Sequence, residues 1–523
     1  MREIYDLLVV GAGGSGLTTA IYARENGLNV VVATKEYPTR SGTSMAQGGI
    51  NIPKSEDIEL HIKETLKASG DLADENRVRT LIEGSVDAEK LLRKVGVPLS
   101  EDRRGLGGVS SPRTLYSSDY TGLAVLQKLY EYARKIGVKF LDEYYLLNLI
   151  KESDEVKGAT FLQVRTSSVR EVIAKSTVIA TGGYSQLYWG FSTNSVASTG
   201  DGVASALRGG AELSNMEFIQ FHPTALKGKG VLISETARGE GGKLLNSDGE
   251  RFVDELQPRD IVARAIYQQI ENKKDVFLDL RVVQGIREKM PQEIKLIESY
   301  SGLNPENDLI PIEPMAHYTM GGIKVKESGE STIKGLFAVG EASDSGVHGA
   351  NRLGGNSLLE LIVFGKVVAE SVSNRAKNSF SIPTSEQLGR DRIFINGVFN
   401  FTNQIDFYEK RTFLGKILYR NGGIEREEMR LKGILSVVRQ IQKEYRFMGV
   451  ADKTMDYNRN LIEFIEFGNL VELAETVLVN AINRIESRGS HYRVDFPKMD
   501  NENQRVPSIS WIEDGVLATE FRN

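Results

Sequence analysis

Between Asn215 and Ile266 the chain places one imidazole (His222), a hydroxyl beside a carboxylate (Ser234, Glu235) and two guanidiniums after them (Arg238, Arg259). These groups suit one task, holding a small dianion while moving a proton. A dicarboxylate needs charge-assisted donors at both ends, which Arg supplies as a planar fork and His or Ser singly. Glu235 and Arg238 are three residues apart, so one helical turn would point them the same way and let a proton pass between them. Taken one at a time, Glu235 with Arg238, or Arg259 with Asp260, read equally well as ion pairs of a polar loop. Another His and another Arg further on, His317 and Arg352, give the cluster a weight that its members lack singly.

Such a cluster needs a frame. Ile4–Val10 reads as a buried strand and runs into Gly11-Ala12-Gly13-Gly14-Ser15-Gly16, a helical Leu17–Glu25 and a second strand, Asn29–Ala33. Gly-x-Gly-x-x-Gly between strand and helix is the dinucleotide turn in its required context, with the pyrophosphate at the helix N-terminus. The second strand ends in Thr34-Lys35 instead of the acid expected on a ribose, and Glu36 comes one or two residues late. Residues 38–50 are polar, glycine-rich and too long for an ordinary connection; such loops bring backbone amides close to a flat ligand.

Composition narrows the rest. At 523 residues the chain exceeds one core, so two to four domains are expected. A net charge of -5 and a pI near 5.8 leave no basic footprint for nucleic acid. Without cysteine the chain has no thiolate, disulfide or iron–sulfur cluster of its own, and no metal ligand set is expected; a one-electron wire must belong to another subunit. No apolar run reaches the length of a membrane span, and Met1-Arg2-Glu3 leads directly into a strand without room for a signal peptide. The expected location is cytoplasmic, or peripheral on the cytoplasmic face.

Helical patterns follow over 57–69, 76–95 and 121–135, then β-rich runs at 139–150, 158–165 and 170–174 that look like an antiparallel insertion, before Thr177–Ala180 re-enters the parallel sheet. Leu336–Val339 is a buried strand ending at Glu341, a reasonable partner for ribose hydroxyls. From about Ala376 the sequence turns helical and charged. Leu431, Ile434, Leu435, Val438 and Ile441 form one apolar stripe and Leu461–Ile485 a longer one, the pattern of a small helix bundle.

From the 38–50 run onward the sequence resembles a family, the flavoprotein subunits of succinate dehydrogenase and fumarate reductase, with L-aspartate oxidase as a cousin. The resemblance extends through Ser198-Thr199-Gly200-Asp201-Gly202, Pro314–Gly322 and Gly349–Leu359 to nearly the whole chain. It implies an α/β fold: a doubly wound, Rossmann-like FAD-binding domain over 1–220 and 314–375, an inserted α+β capping domain over 221–313, and a helical C-terminal domain over 376–523. FAD contacts are expected from Gly11, Gly13, Gly14, Ser15, Gly16, Thr34, Lys35, Ser41, Thr43, Gln47, Gly48, Gly49, Glu341, Asn356, Ser357 and Leu358. Asp201 reads either as an orienting group for the flavin or as a helix N-cap, or as both. At Gly42 the respiratory members usually carry a histidine bonded to the flavin, so FAD is expected to be non-covalent here. Of the family segment 487–493, His491 is expected to be structural.

The same resemblance implies that His222, Ser234, His317 and Arg352 hold the two carboxylates, that Arg259 protonates the substrate carbon, and that Glu235 and Arg238 resupply the proton. It also implies an iron–sulfur partner subunit, with a membrane-anchor or a thiol- or quinone-linked subunit beyond it. Two other functions are separable. Aspartate oxidases resemble this chain near Leu106 but carry a glutamate there to meet the substrate ammonium, and a histidine three residues on; this chain has Leu106 and Val109. A non-catalytic FAD-binding scaffold would have no need of an assembled acid relay.

Overall fold

The structure is a computed structural model that describes residues 3–107, 109–384 and 386–522. Ile4–Val10 forms with the expected bounds at the middle of a seven-stranded sheet. Leu7, Leu8 and Val9 are fully buried, so both strand faces are covered, as in parallel sheets flanked by helices. Val30–Thr34 and Ser168–Ile179 pair with it in parallel on its two sides, and Leu336–Ala338 lies parallel to the end of Ser168–Ile179.

Two expectations are corrected in this sheet. The runs at 170–174 and 177–180 are one twelve-residue strand, Ser168–Ile179, which lies antiparallel to Glu155–Gln163 over its first half and parallel to Ile4–Val10 over its second. No Gly or Pro interrupts the β-branched sequence between them, so the strand continues. The 139–150 run instead divides at Glu143, whose φ is 61°. Lys139–Asp142 joins the parallel side beside Val30–Thr34, and Tyr144–Glu152 pairs antiparallel with Glu155–Gln163. Likewise, the helix expected over 76–95 breaks at Gly84 into Glu75–Glu83 and Ser85–Val95.

The helix Gly14–Glu25 packs against Asn356–Arg375 so closely that a Cβ on Gly365 would lie 2.8 Å from Thr18. The inserted region is a four-stranded antiparallel sheet, in the order Ile219–Leu226, Ile310–Thr319, Val276–Asp279, Lys243–Asn246. Its own core includes Leu244, Val262, Ile266, Leu278, Ile294 and Ile312. The expected boundaries at 221 and 313 fall inside Ile219–Leu226 and Ile310–Thr319, which pair with each other. The chain therefore enters and leaves the insertion through one continuous two-stranded ribbon.

The C-terminal region contains the helices Glu386–Asn400, Phe407–Gly422, Glu428–Tyr445 and Arg459–Asn483, and buries Leu431, Ile434, Val438 and Ile441 as the stripe requires. It ends in a hairpin that the helical reading missed: Ser508–Glu513 and Val516–Phe521 add two strands to Leu213–Ser214. Asp514 and Gly515 at its tip have φ of 49° and 78°, the left-handed pair that an Asp-Gly connection favours. Fully buried Arg484 pairs with Glu217 and Glu486, while Arg426 donates to the Glu217 carbonyl and contacts His491. Removing one partner of such a pair strands a buried charge at about 3–5 kcal/mol. The tail thus pins the segment that leads into Ile219–Leu226 and His222. Among the described residues no helix is long and apolar enough to cross a membrane.

Candidate active site

A long cleft runs from Thr34, Lys35 and Glu36 to His222 and Arg352. Gly11, Gly13 and Ser15 line it at one helix N-terminus, and Gly355, Ser357 and Leu358 at another. Gly11 has a φ of 106°, and a Cβ there would sit 2.3 Å from the Ala180 carbonyl oxygen, so only glycine lets the turn close against the neighbouring strand. Gly14 and Gly16 shape this turn from behind: the Gly14 N–H donates to Thr43 Oγ1 at 3.0 Å, and a Cβ on Gly16 would meet the Gly11 carbonyl oxygen at 2.1 Å. Ser41, Thr43, Gln47, Gly48 and Gly49 all line the cleft. Ser41 Oγ, Gln47 Oε1, Thr181 Oγ1 and Arg352 Nε are buried there without a protein partner. Buried polar atoms find partners, and the ribityl, pyrophosphate and ring heteroatoms of a flavin dinucleotide are chemically suited to supply them. Gly42 is exposed and presents no side chain.

Three residues expected at the cofactor also bond within the protein, and two of them, Lys35 and Asp201, line the cleft. Lys35 directs its ammonium to Asp201 at 2.6 Å, Glu466 at 2.8 Å and Thr199 at 2.9 Å. Burial opposes its charge, but Asp201 and Glu466 outweigh that and raise its pKa. Asp201 also accepts from Tyr145 and Asn469, so its carboxylate is committed within the protein. It is no N-cap either: the helix Asp201–Arg208 begins at Asp201 itself, and Gly200 occupies the cap position. Asn356 turns its amide to Asn51, His61 and Thr65 and braces the turn under Gly355. Glu341 also lines the cleft, accepts from the Thr319 N–H at 3.0 Å, and is pushed up to about 7 by burial.

At the inner end the expected His, Glu and Arg side chains come together. Arg259, the first residue of the helix Arg259–Glu271, donates to Glu235 Oε2 from two nitrogens at 2.7 and 3.2 Å. The other carboxylate oxygen of Glu235 lies 3.5 Å from Arg238, on the same short helix, Glu235–Gly239. One buried carboxylate therefore bridges two guanidiniums. Burial works against its ionisation, but Arg259 and Arg238 outweigh it and hold the carboxyl below its ordinary value. Burial also lowers the pKa of Arg238. Glu235 is closely housed: a Cβ on Gly107 or on Gly354 would come within 2.4 or 2.7 Å of its oxygens.

His222 and His317 face each other at 5.0 Å between ring centroids. Burial, then the Arg259 charge, depresses both imidazoles well below the usual range, so both are neutral at neutral pH. His317 is fixed through Nδ1 by Thr193 at 2.8 Å. Arg352 stacks on Tyr318 at 4.2 Å and contacts Ser357 Oγ at 3.1 Å; burial and Arg259 lower it to about 10. His222, Ser234, Glu235, Arg259, His317 and Arg352 all line this end of the cleft, with Arg238 behind Glu235 and the buried side chain of Leu106 also facing in.

Residues 6–358 match the family profile for the FAD binding domain, and residues 411–521 that for the fumarate reductase flavoprotein C-terminus. The flavoprotein subunit of the 8-methylmenaquinol:fumarate reductase of Wolinella succinogenes is 36% identical over 95% of this chain and 87% of its own length. This chain belongs to the fumarate reductase/succinate dehydrogenase flavoprotein family. The mitochondrial succinate dehydrogenase flavoprotein subunit of Oryza sativa is 34% identical, over 99% of this chain and 90% of its own. A solved E. coli quinol fumarate reductase variant superposes with a TM-score of 0.95 at 30% identity, covering 100% of this chain and 97% of the other. Membership makes the chain an FAD-dependent oxidoreductase, with FAD-binding, capping and C-terminal helical domains.

Two residues of this flavoprotein's site were not singled out from sequence. Gln220 accepts from Arg259 and from Arg352, each at 3.1 Å, and so sets the spacing between the two guanidiniums. Its signal was available, because it lies two residues before His222 and side chains two apart on a strand share a face. Glu293 accepts from Ser234. It lies 59 residues from its partner within an ordinary helical pattern, and no local spacing marks it.

Proposed function

We propose that this flavoprotein interconverts fumarate and succinate, favouring fumarate reduction, with Arg259 as the proton donor and with electrons arriving from an iron–sulfur subunit. The observation that carries this reading is the Arg238–Glu235–Arg259 row ending beside two neutral imidazoles and Arg352. Bound FAD would supply hydride chemistry at the substrate's carbon–carbon bond. It would be held by the glycine turn at Gly11–Gly16, by Ser41, Thr43 and Gln47, and by Glu341 and the helix that starts beside Ser357.

Arg352 grips one carboxylate as a fork, and neutral His222 and His317 each contribute a single donor. Arg259 then gives a proton to the substrate carbon. A guanidinium holds its protons tightly, so this happens only in step with charge developing on that carbon and with a replacement proton passing from Arg238 through Glu235. Leu106 supplies no counter-ion for an amino group, and an unpaired buried ammonium costs several kcal/mol, roughly, so aspartate is the poorer substrate. The absence of cysteine leaves the chain without a cluster, and the relatives' description as subunits supports an external electron carrier and peripheral attachment through partner subunits. Gly42, lacking the family's flavin-bonding histidine, favours the reductive direction.

The test is steady-state assay of the purified, FAD-loaded chain with a reduced viologen. Fumarate-dependent viologen oxidation is expected, with no aspartate-dependent peroxide. Peroxide formation from aspartate at a rate comparable with fumarate reduction would reverse the assignment.

A further inference from the structure

Ser234 lines the dicarboxylate end of the cleft, yet both of its donors are taken by one carboxylate. Its backbone N–H donates to Oε1 of Glu293, and its hydroxyl donates to Oε2 at 2.8 Å. Glu293 is fully buried on the first turn of the helix Pro291–Ser301. It is fixed from across the contact with the FAD-binding region, because Asp119 accepts the backbone N–H groups of Gln292 and Glu293 at 2.7 and 3.0 Å. Arg104 acts on it through space, with no hydrogen bond. A serine hydroxyl has one hydrogen, so while Glu293 holds it, Ser234 has none to offer a substrate.

We propose that Glu293 sets the direction of the Ser234 hydroxyl and thereby the affinity of the cleft for dicarboxylates. Ionised, Glu293 keeps the hydroxyl hydrogen; protonated, it donates its own hydrogen to Ser234 Oγ and frees the hydroxyl to donate to a substrate carboxylate. The inference rests on the dicarboxylate reading above. Glu293 is a positioning residue, since it touches Ser234 and not the substrate.

The electrostatics give the switch its range. Burial pushes Glu293 up to about 7; the two Ser234 donors oppose this, the Asp119 charge adds to it, and Arg104 opposes it. The groups facing it are Ser234 from the inserted domain and Asp119 and Arg104 from the FAD-binding loops, with Tyr116 and Glu240 acting in turn on Arg104. Below about pH 7 the carboxyl keeps its proton and Ser234 is free. Above that pH it ionises and Ser234 is withdrawn, so binding a dicarboxylate draws a proton onto Glu293.

The test is calorimetric titration of the FAD-loaded protein with malonate, whose single central carbon cannot be oxidised to an alkene, from pH 6 to 8.5 in buffers of different ionisation enthalpy. The wild type should take up a proton on binding near pH 7 to 8. Its Kd should rise by about tenfold or more across the range, the worth of one charge-assisted hydrogen bond. Glu293→Gln, whose amide always donates to Ser234, should bind at pH 8.5 as tightly as the wild type does at pH 6, without that proton uptake, and fumarate KM should follow the same pattern while kcat does not. Ser234→Ala should be uniformly weak. A Glu293→Gln variant with normal FAD content and the wild-type pH profile would overturn the proposal, as would malonate affinity in the wild type that is flat with pH; either leaves the dicarboxylate reading standing. Failure of malonate, fumarate and succinate to bind at any pH would remove that reading and this inference together.

Discussion

Arg259 and Arg352 are both guanidiniums at the inner end of the cleft, both bonded to Gln220, yet the proposed function gives them different work. Arg259 connects through Glu235 to a second buried guanidinium, which is the geometry of a proton supply. Arg352 stacks on an aromatic ring and contacts a serine, the geometry of an anchor. Arg259→Lys retains a cation and should bind dicarboxylates nearly as the wild type does, while kcat falls by the roughly 10²- to 10⁴-fold expected when a positioned acid is lost. Arg352→Lys should raise KM as well, because a point charge cannot replace a fork. Retention of more than about a tenth of kcat by Arg259→Lys, a loss too small for a positioned acid, would make Arg259 a structural ion pair. Much of this site could be read from sequence because Ser234, Glu235 and Arg238 lie within one turn and His222 and Arg259 nearby. Glu293 escaped because its role comes from what opposes it in space, Ser234 at 59 positions away; Gln220, whose partner Arg352 is 132 away, was marked only by sharing a strand face with His222.

At the scale of elements, two of the turns that line the cleft each make a prediction. Gly355 caps the helix Asn356–Arg375 with φ at 82°, and a Cβ there would fall 2.3 Å from Asn51 Oδ1. Gly355→Ala therefore incurs roughly 1–2 kcal/mol for the left-handed backbone and displaces the Asn51–Asn356–His61 network. It should lower the melting temperature and the FAD content of the purified protein together; wild-type values for both would show that the turn is not tightly constrained. The other turn is the short helical segment Gly42–Met45, which offers no nucleophile at its first residue. Acid precipitation should accordingly leave the yellow colour in the supernatant, and flavin fluorescence retained on the denatured polypeptide in a gel would contradict non-covalent binding. Elements with local signals were legible in the sequence: the Ile4–Val10 strand with its glycine turn, the helix Thr121–Lys135 and the apolar stripe on Glu428–Tyr445. Ser168–Ile179 was divided because its pairing changes from antiparallel to parallel along its length, which a one-dimensional pattern does not encode. The C-terminal hairpin was overlooked despite its Asp-Gly tip because the alternation in Ser508–Trp511 is short and Val516–Phe521 is half-exposed without alternation.

Across the whole molecule, the cleft joins two units of different construction. The parallel sheet and its helices present a dinucleotide site, and the inserted antiparallel sheet brings Ser234, Glu235, Arg238 and Arg259 to its inner end. Asp119, in the first unit, grips the backbone of Gln292 and Glu293 in the second, and Glu235 lies against Gly107 and Gly354. The proposed acid relay needs these contacts, so substrate protonation should depend on the relative placement of the two units as well as on the side chains. The most direct measurement is anaerobic stopped-flow reoxidation of the photoreduced, FAD-loaded chain by fumarate, in the wild type and in Arg259→Lys. The account predicts rapid reoxidation in the wild type with one succinate formed per FAD, and a rate at least about 10²-fold lower in the variant. A wild-type flavin that fumarate does not reoxidise, or a variant rate within tenfold of the wild type, would contradict it.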